Sequence, residues 1–293
     1  MTTLQKPVYG IVLILCAGAL LAIHDGVSKH LTHLYPLIML IWARYVVQSA
    51  VMFFLFFPRM RWAIVRTRRP WLQLLRAMSL LSISVLFIGG LRYIPLGEAT
   101  AVMFLAPLIV TVLSAVLLDE KVSIGQWLAV SAGFVGVLLI VRPGGTLFTP
   151  AILLPLSASF FFAVYQLLTR RLASTDHAVT SNFLSGLFGA LILTTLLPGQ
   201  YTLDMPTVDL LFVLVLGLLA MTAHMLLSMA LKYSTAATLA PFTYMQIIFA
   251  GLIGYFAFAH VPDRLSILGV LVISCSGLTV AYLQHRRSSM ATG

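Results

Sequence analysis

Polar and ionisable side chains interrupt an apolar stretch near the amino terminus of this 293-residue sequence. His24, Asp25 and Ser28 follow an almost unbroken apolar run from Val8 to Ile23. On a helix, His24 and Ser28 share a face at i, i+4, and Asp25 and Ser28 share another at i, i+3. A histidine beside a carboxylate can carry a proton, whereas the same residues at a helix end can simply mark the approach to water. The sequence leaves both interpretations open.

Arg44 is the second costly residue, because it lies about two turns inside the next apolar run. An unpaired guanidinium at that depth in a membrane costs about 3 kcal/mol or more. Asp25 is the acidic residue at a similar depth, so one hypothesis is an Arg44–Asp25 ion pair that keeps Asp25 ionised and structural. The alternative is that Asp25 stays unpaired and carries a proton together with His24.

The composition indicates whether these residues lie in water or in a lipid bilayer. Hydrophobic residues make up 60% of the chain and charged residues 9%, against roughly a quarter charged in an ordinary soluble domain, and the mean hydropathy is +1.03. Apolar runs near the length needed to cross a bilayer recur along the whole chain. They cover 8–28, 36–57, 71–92, 97–118, 123–141, 150–170, 178–197, 208–231, 236–258 and 264–284. The sequence therefore predicts an all-α integral membrane protein with ten transmembrane helices.

Basic residues collect in the connections that a cytoplasmic amino terminus would place inside the cell. These are Lys6, Arg59, Arg61, Arg66, Arg68, Arg69, Lys121, Arg170, Arg171, Lys232, Arg286 and Arg287, whereas the outside receives only Lys29, Arg92, Arg142 and Arg264. The pattern predicts that both termini are cytoplasmic. It also accounts for the net charge of +10, so no nucleic-acid partner is expected.

The chain repeats itself at a spacing of about 140 residues. Leu91-Arg92-Tyr93 has its counterpart in Leu231-Lys232-Tyr233, and "AIHDGVSKHL" at 22–31 aligns with "AVYQLLTRRL" at 163–172. We predict two halves, 1–145 and 146–293, of five helices each, which together form one membrane domain. Because five is odd, the second half enters the membrane from the opposite side. Such an inverted repeat is a known plan of transporters.

Three segments carry a resemblance to a known family. "ARY" at 43–45, the segment 89–141 and the segment 231–269 resemble the two EamA-type repeats of the drug/metabolite transporter superfamily. The resemblance implies a bacterial inner-membrane exporter whose central cavity is lined by helices 1, 3, 4, 6, 8 and 9, with helices 5 and 10 outside. Within the family, the chain is most similar to the aromatic amino-acid exporters.

The sequence departs from the family pattern at two places in its second half. Glu120 closes the fourth helix of the first half, but its counterpart is His260, and the counterpart of Pro107 is Ile247, with Pro241 about two turns earlier. The two halves therefore need not bend alike.

Further candidate cavity residues come from the faces of the other helices. They are Ser79 and Ser82 in helix 3, Met103, Phe104 and Pro107 in helix 4, Tyr165 and Gln166 in helix 6, His224 and Ser228 in helix 8, and Tyr244 and Gln246 in helix 9. Each also has a structural interpretation, since hydroxyl groups commonly contact neighbouring helices and a proline bends its own helix. Aromatic, methionine and hydroxyl groups suit a neutral, zwitterionic or partly apolar solute.

Small residues form a stripe on helix 5 at Gly125, Ala129 and Gly133, and Gly269 and Gly277 repeat the eight-residue spacing on helix 10. Such stripes allow a close approach of helices. They predict either a scaffold within the chain or a homodimer surface through helices 5 and 10.

These features together predict a secondary transporter in the bilayer that exports small molecules by alternating access, with amino acids, and aromatic ones above all, as substrates. No phosphate-binding glycine-rich loop with its lysine is present, so a gradient is expected to drive transport, with no cofactor or metal. Multidrug efflux or metabolite uptake by the same fold is the alternative. A membrane-embedded enzyme would have only His24 and Asp25 as an acid/base pair, since Ser28 is too close along the same helix to complete a triad.

Overall fold

The computed structural model describes residues 7–117, 122–142, 145, 147–172, 175–199, 205–234, 239 and 242–292. The regular structure of these residues is helical throughout. The helices are α1 (Pro7–Thr32), α2 (Leu37–Met60), α3 (Pro70–Ile83), α4a (Leu96–Met103), α4b (Ala106–Leu117), α5 (Ile124–Val141), α6 (Leu153–Leu172), α7 (Ala178–Leu196), α8 (Thr207–Tyr233), α9 (Met245–Phe258) and α10 (Arg264–Thr292). After α3, a π-helical turn (Ser84–Ile88) and a short helical piece (Gly89–Leu91) extend the same rod.

The helices agree with the predicted spans. Within the described residues, nine segments are long and apolar enough to cross a membrane. The described part of α9 has 14 residues. The predicted ninth span began at residue 236, and residues 235–238, 240 and 241, including Pro241, lie outside the described part. The predicted all-α membrane fold is confirmed.

Local sequence explains where several helices begin. Pro70 is the first residue of α3, where a proline costs no hydrogen bond, and Pro36 and Pro206 directly precede α2 and α8. Ser123 and Gln126 form a reciprocal capping box at the start of α5, which pairs two backbone N–H groups that the helix itself leaves open.

The packing of the helices maps onto itself when the two halves are exchanged. Helix α1 packs along α8 and against α9, and its counterpart α6 packs along α3 and against α4a and α4b. Helices α2 and α7, α4a and α9, and α5 and α10 pair with their own counterparts. This exchange is what an inverted repeat of two five-helix halves requires.

Helices α5 and α10 use their glycines within the chain. A Cβ atom on Gly269 would lie 2.5 Å from the carbonyl oxygen of Gly136, and one on Gly133 would lie 2.0 Å from Leu108 Cδ1. The outer faces expose apolar side chains such as Leu138 and Leu271. The stripe therefore forms an internal scaffold, and a homodimer through α5 and α10 stays a prediction.

The two halves break their fourth helices at corresponding positions, although the sequence left it open whether they bend alike. Phe104 and Leu105 separate α4a from α4b, and Tyr244, the counterpart of Phe104, separates the helical residues 242–243 from α9. The rings of Phe104 and Tyr244 contact each other, with centroids 5.1 Å apart. Since Ile247 stands where the first half has Pro107, the second break does not depend on a proline at this position. Packing supplies a reason, because Tyr244 fills the space left open by Gly277.

Candidate functional site

The polar residues that interrupt the first two apolar runs lie inside the bundle and not at its surface. His24 is 4%, Asp25 7%, Ser28 1% and Arg44 4% exposed. His24 Nδ1 and Asp25 Oδ1 are 2.9 Å apart and share a hydrogen bond. The simple explanation of a helix end that meets water therefore does not apply to these side chains.

Arg44 binds a different partner from the one predicted. Its Nη1 donates to Ser84 Oγ over 2.8 Å, and its guanidinium lies 4.7 Å from the centroid of the Tyr45 ring. Tyr45 Oη and Ser84 Oγ are also hydrogen-bonded at 2.9 Å. Among the described residues Arg44 makes no ion pair, so the Arg44–Asp25 pair is not formed. Asp25 is engaged by its own neighbour His24, and Ser84 opens the π-helical turn beside Arg44.

Several polar atoms of this region are buried without a hydrogen-bond partner. They are His24 Nε2, Ser28 Oγ, Arg44 Nε, Gln48 Oε1 and Ser49 Oγ. Buried polar groups in native proteins are nearly always paired, and lipid offers them no partner. We define these residues, together with Asp25, Tyr45 and Ser84, as the central cluster. It combines α1 and α2 with the π-helical turn after α3.

His224 on α8 lies near both buried arginines. It is close enough to Arg44, Arg76 and His24 for their charges to interact. Ser228 was predicted one turn later on the same face, but its side chain lies outside the described residues. Sequence inspection missed Gln48, although it follows Arg44 at i, i+4, the spacing that places two residues on one helix face.

A second polar cluster surrounds Arg76, which the sequence analysis did not single out. Arg76 is 2% exposed, and each of its five N–H groups donates a hydrogen bond. The acceptors are Thr169 Oγ1 at 2.8 Å, the Ser181 carbonyl oxygen at 2.7 Å, Ser185 Oγ at 2.6 Å, Tyr165 Oη at 2.6 Å and Asn182 Oδ1 at 3.0 Å. Arg76 thereby connects α3 to α6 and α7 through hydrogen bonds. Tyr165, a predicted cavity residue, is one of the acceptors.

The predicted cytoplasmic end continues this polar contact between the halves. Gln73 Nε2 donates to Asp176 Oδ2 at 2.7 Å and to Ser181 Oγ at 2.8 Å. Thr67 and the backbone N–H of Arg68 also donate to Asp176. Partial burial works to raise the pKa of Asp176, but these hydrogen bonds outweigh it and hold the pKa below its usual value. The carboxylate therefore stays charged and joins the loop before α3 to the loop before α7.

The opposite end has its own polar contacts. Glu98, 2% exposed, is hydrogen-bonded through Oε1 to His260 Nε2 at 2.8 Å. Lys29 donates to the carbonyl oxygens of Leu91 and Ile94. His260 thus links the second half to the first, while Glu120, its counterpart in the sequence, lies outside the described residues.

The remaining predicted residues lie elsewhere in the bundle. Ser79 donates to the Leu75 carbonyl oxygen of its own helix at 2.8 Å. Half-buried positions are held by Ser82, Met103, Phe104, Pro107, Gln166 and Gln246. Tyr244 is buried and its Oη has no partner. The structure thus buries His24, Asp25 and Ser28 on α1. It brings His24 and His224 within electrostatic range of Arg44 and places the helix 4 and 9 candidates at or near the two breaks.

An apolar groove of 610 Å³ lies between α4b, α5 and α6. Trp127, Phe134 and Phe160 contribute exposed side chains to its lining. This lining suits a lipid chain better than a polar solute. In the part of the chain that the structure describes, no group of three or more His, Cys, Asp or Glu could hold a metal ion.

Comparison with known proteins agrees with this architecture. Residues 8–142 and 149–282 each match the EamA-like transporter family. The riboflavin transporter of Vibrio cholerae is 28% identical over 296 residues, which cover 98% of each chain. The S-adenosylmethionine uptake transporter of Rickettsia felis is 25% identical over 77% of this chain and 76% of its own.

Two further matches extend over almost the whole chain. The pseudopaline exporter of Pseudomonas aeruginosa is 22% identical over 92% of this chain and 95% of its own. A solved crystal structure superposes with a TM-score of 0.68 at 18% identity and covers 97% of this chain and 100% of its own. At that identity the structure supports the fold alone.

Proposed function

The chain belongs to the EamA-like transporter family, and on this premise we propose that it is a gradient-driven exporter of amino acids, with aromatic ones favoured. The single observation that carries the proposal is the central cluster. Its buried and unpaired polar atoms belong to the first half, and Gln48 and Ser49 among them lie against Gly186 of α7 in the second half. Transporters built from inverted repeats bind their substrates between the two halves. Ionisable groups inside a membrane bundle are expensive and usually serve such a function.

Aromatic side chains support the preference for an aromatic solute. Phe104 and Tyr244 contact each other at the two helix breaks, and the Tyr45 ring lies under the guanidinium of Arg44. A flat ring of a solute can stack on such groups, while its polar end binds the central cluster. Phosphate esters would need more positive charge than this region offers.

Alternating access requires ends that can open without unfolding the bundle. Polar contacts join the halves at both ends, through Gln73, Asp176 and Ser181 at one and through Glu98 and His260 at the other. Hydrogen bonds of this kind are exchanged for water at little net cost. We propose that each end opens in turn while α5 and α10 remain packed as a scaffold.

Asp25 is the residue that we propose for proton coupling. It is buried, and its hydrogen bond to His24 gives a proton two adjacent sites. Among the described residues, Asp25 makes no ion pair with Arg44.

Uptake of a larger metabolite is the second candidate function. It is favoured by the names of the similar proteins, which include a riboflavin transporter and an S-adenosylmethionine uptake transporter. Another of the similar proteins is named as an exporter, of pseudopaline, so the names do not agree on the direction of transport. Riboflavin and S-adenosylmethionine therefore belong in the substrate panel, together with a cationic dye for multidrug efflux.

The test is flux of labelled tryptophan, phenylalanine and alanine in proteoliposomes, with and without a pH gradient, for the wild type and Asp25→Asn. We expect saturable flux of the aromatic amino acids that loses its pH response in the variant. Ser79→Ala is the matched control, since Ser79 bonds only its own helix. No saturable amino-acid flux would overturn the proposal, and substrate recovered in altered chemical form would favour an enzyme.

The direction of insertion has its own test. We propose that the protein lies in the bacterial inner membrane with both termini in the cytoplasm, as the basic connections indicate. Alkaline phosphatase fused after residue 293 should be inactive, and a fluorescent protein fused there should fold and emit. An active phosphatase fusion would contradict this topology.

A further inference from the structure

Among the described side chains, two arginines are buried in the bundle, and they differ in how their donors are used. Every N–H group of Arg76 has a protein acceptor on α6 or α7. Arg44 donates from Nη1 to Ser84 Oγ, and its guanidinium also interacts with the side chain of Tyr45. Its Nε is buried with no partner. Arg76 is therefore saturated by the protein, whereas the Nε–H on one edge of the Arg44 guanidinium is left open.

The charge around Arg44 is also incomplete. Its contacts are the neutral groups of Ser84 and Tyr45, and Asp25 is held by His24. Among the described residues, two carboxylates are buried in the bundle: Asp25, which His24 holds, and Glu98, which is hydrogen-bonded to His260. A guanidinium that no carboxylate pairs is costly inside a membrane bundle, and a bound anion would compensate it.

The open edge fits one chemical group in particular. Nε and Nη2 of a guanidinium point in parallel, so that they can donate two hydrogen bonds to the two oxygens of one carboxylate. His24 is close enough to Arg44 for their charges to interact, and its Nε2 is also buried without a partner. A solute bound to Arg44 would pair a donor that the protein alone leaves without a partner.

We propose that Arg44 binds the carboxylate group of the transported solute in the central cluster. This inference rests on the proposed transport function and narrows its substrate class to solutes with a carboxylate. It separates the two buried arginines by role, since Arg44 contacts the solute and Arg76 holds the helices together.

The experiment measures binding by the thermal stabilisation of the purified full-length protein in detergent, since a ligand that binds the folded state raises its Tm. The probes share one ring and differ at their polar end: phenylalanine, phenylalaninamide, 3-phenylpropionate and phenethylamine. We expect the two carboxylates to bind roughly 10- to 100-fold more tightly than the amide and the amine. Riboflavin, which has no carboxylate, should not compete with them.

Variants of the two arginines assign this preference to a residue. Arg44→Gln should abolish the preference for phenylalanine over phenylalaninamide. Arg44→Lys should retain only part of this preference, because lysine keeps the positive charge but lacks the two parallel N–H donors of the guanidinium. Arg76→Lys is the matched control, equally buried and charged. It should lower the Tm without solute and leave the ratio of the two affinities unchanged.

The outcomes separate this inference from the transport function. Equal binding of phenylalanine and its amide to the wild type overturns the carboxylate site, and so does an unchanged ratio in Arg44→Gln or Arg44→Lys. If none of the four probes binds the wild type, the site is also overturned. In each case saturable flux in proteoliposomes still decides independently whether the protein transports amino acids. Arg44→Lys keeps the test valid if Arg44→Gln does not fold.

Discussion

At the scale of single residues, buried polar groups in this protein fall into those that hold helices and those left to bind something else. Arg76 belongs to the first kind, because five acceptors from α6 and α7 surround it. Arg44 and His24 belong to the second, because each keeps a buried N–H or ring nitrogen without a partner. The distinction depends on the partners and not on the residue type.

Replacing Arg76 with glutamine should destabilise the protein strongly. The change removes hydrogen bonds to five acceptors on α6 and α7 and leaves Ser185 Oγ and Tyr165 Oη short of a donor. We therefore expect a loss of about 3 kcal/mol or more in the free energy of unfolding. Thermal unfolding in detergent measures it. Arg68→Gln is the control, since this side chain is exposed; equal Tm values for both variants would contradict the prediction.

Asp263, in the loop before α10, should titrate well below an ordinary aspartate. A hydrogen bond from Arg142 Nη2 at 2.7 Å and one from the Ser266 N–H at 2.8 Å lower the pKa of Asp263 to about 2. A lowered pKa means that the contact stabilises the fold above the ordinary value of about 3.9 and is lost as the pH falls toward 2.

Carbon-13 NMR of the labelled carboxyl group follows this titration. Arg142→Gln should raise the pKa of Asp263 toward its ordinary value, although the Ser266 N–H still lowers it in part. An unchanged titration midpoint in the variant would show that Arg142 is not the cause.

At the scale of elements, close packing sets the shape of helices that the sequence alone leaves ambiguous. Helices α4 and α9 break at Phe104 and Tyr244, whether or not a proline follows three residues later. Helices α5 and α10 approach each other because neither Gly136 nor Gly269 carries a side chain at their contact.

Gly269→Ala should therefore weaken the contact of α5 and α10. Its Cβ would lie 2.5 Å from the Gly136 carbonyl oxygen, so the helices must separate. Gly254→Ala is the matched control in α9, where a Cβ meets nothing within 4 Å and alanine favours the helix by up to about 1 kcal/mol. We expect a lower Tm for Gly269→Ala and an unchanged or higher Tm for Gly254→Ala. The reverse order would refute this packing argument.

At the scale of the whole molecule, transport should require the α3 end of one half to move against the α7 end of the other. Gln73 and Ser181 are in contact across this boundary. With Cys16 and Cys275 replaced by alanine, Gln73→Cys and Ser181→Cys joined by a short bifunctional thiol reagent should block flux, and reductive release of a disulfide-forming reagent should restore it.

A second cross-link controls for chemical modification. Gly125 lies against Leu283 at the contact of α5 and α10, where a Cβ would be 3.2 Å from Leu283 Cδ1. Gly125→Cys and Leu283→Cys, joined by the same reagent, should leave flux nearly unchanged, because these helices form the scaffold. Flux that survives the Gln73–Ser181 link would contradict alternating access at this end.

The sequence by itself determined that the protein lies in a lipid bilayer, that its fold is all-helical and that it is divided into two inverted halves. These properties depend on composition, on the length of apolar runs and on a repeat, all of which can be recognised along the chain without knowing which helices touch. It also identified His24, Asp25, Ser28 and Arg44 as costly residues, because charge and polarity are evident wherever they interrupt an apolar run.

Only the tertiary structure decided which of these residues meet. In the folded protein Arg44 donates to Ser84 and not to Asp25, and Arg76 finds all its acceptors on two other helices. Glu98 is hydrogen-bonded to His260, and the ring of Phe104 contacts that of Tyr244. The physical reason is that such pairs depend on how each helix is rotated and which neighbour it packs against. Rotation and neighbours follow from close packing of the whole bundle, which no single stretch of sequence contains.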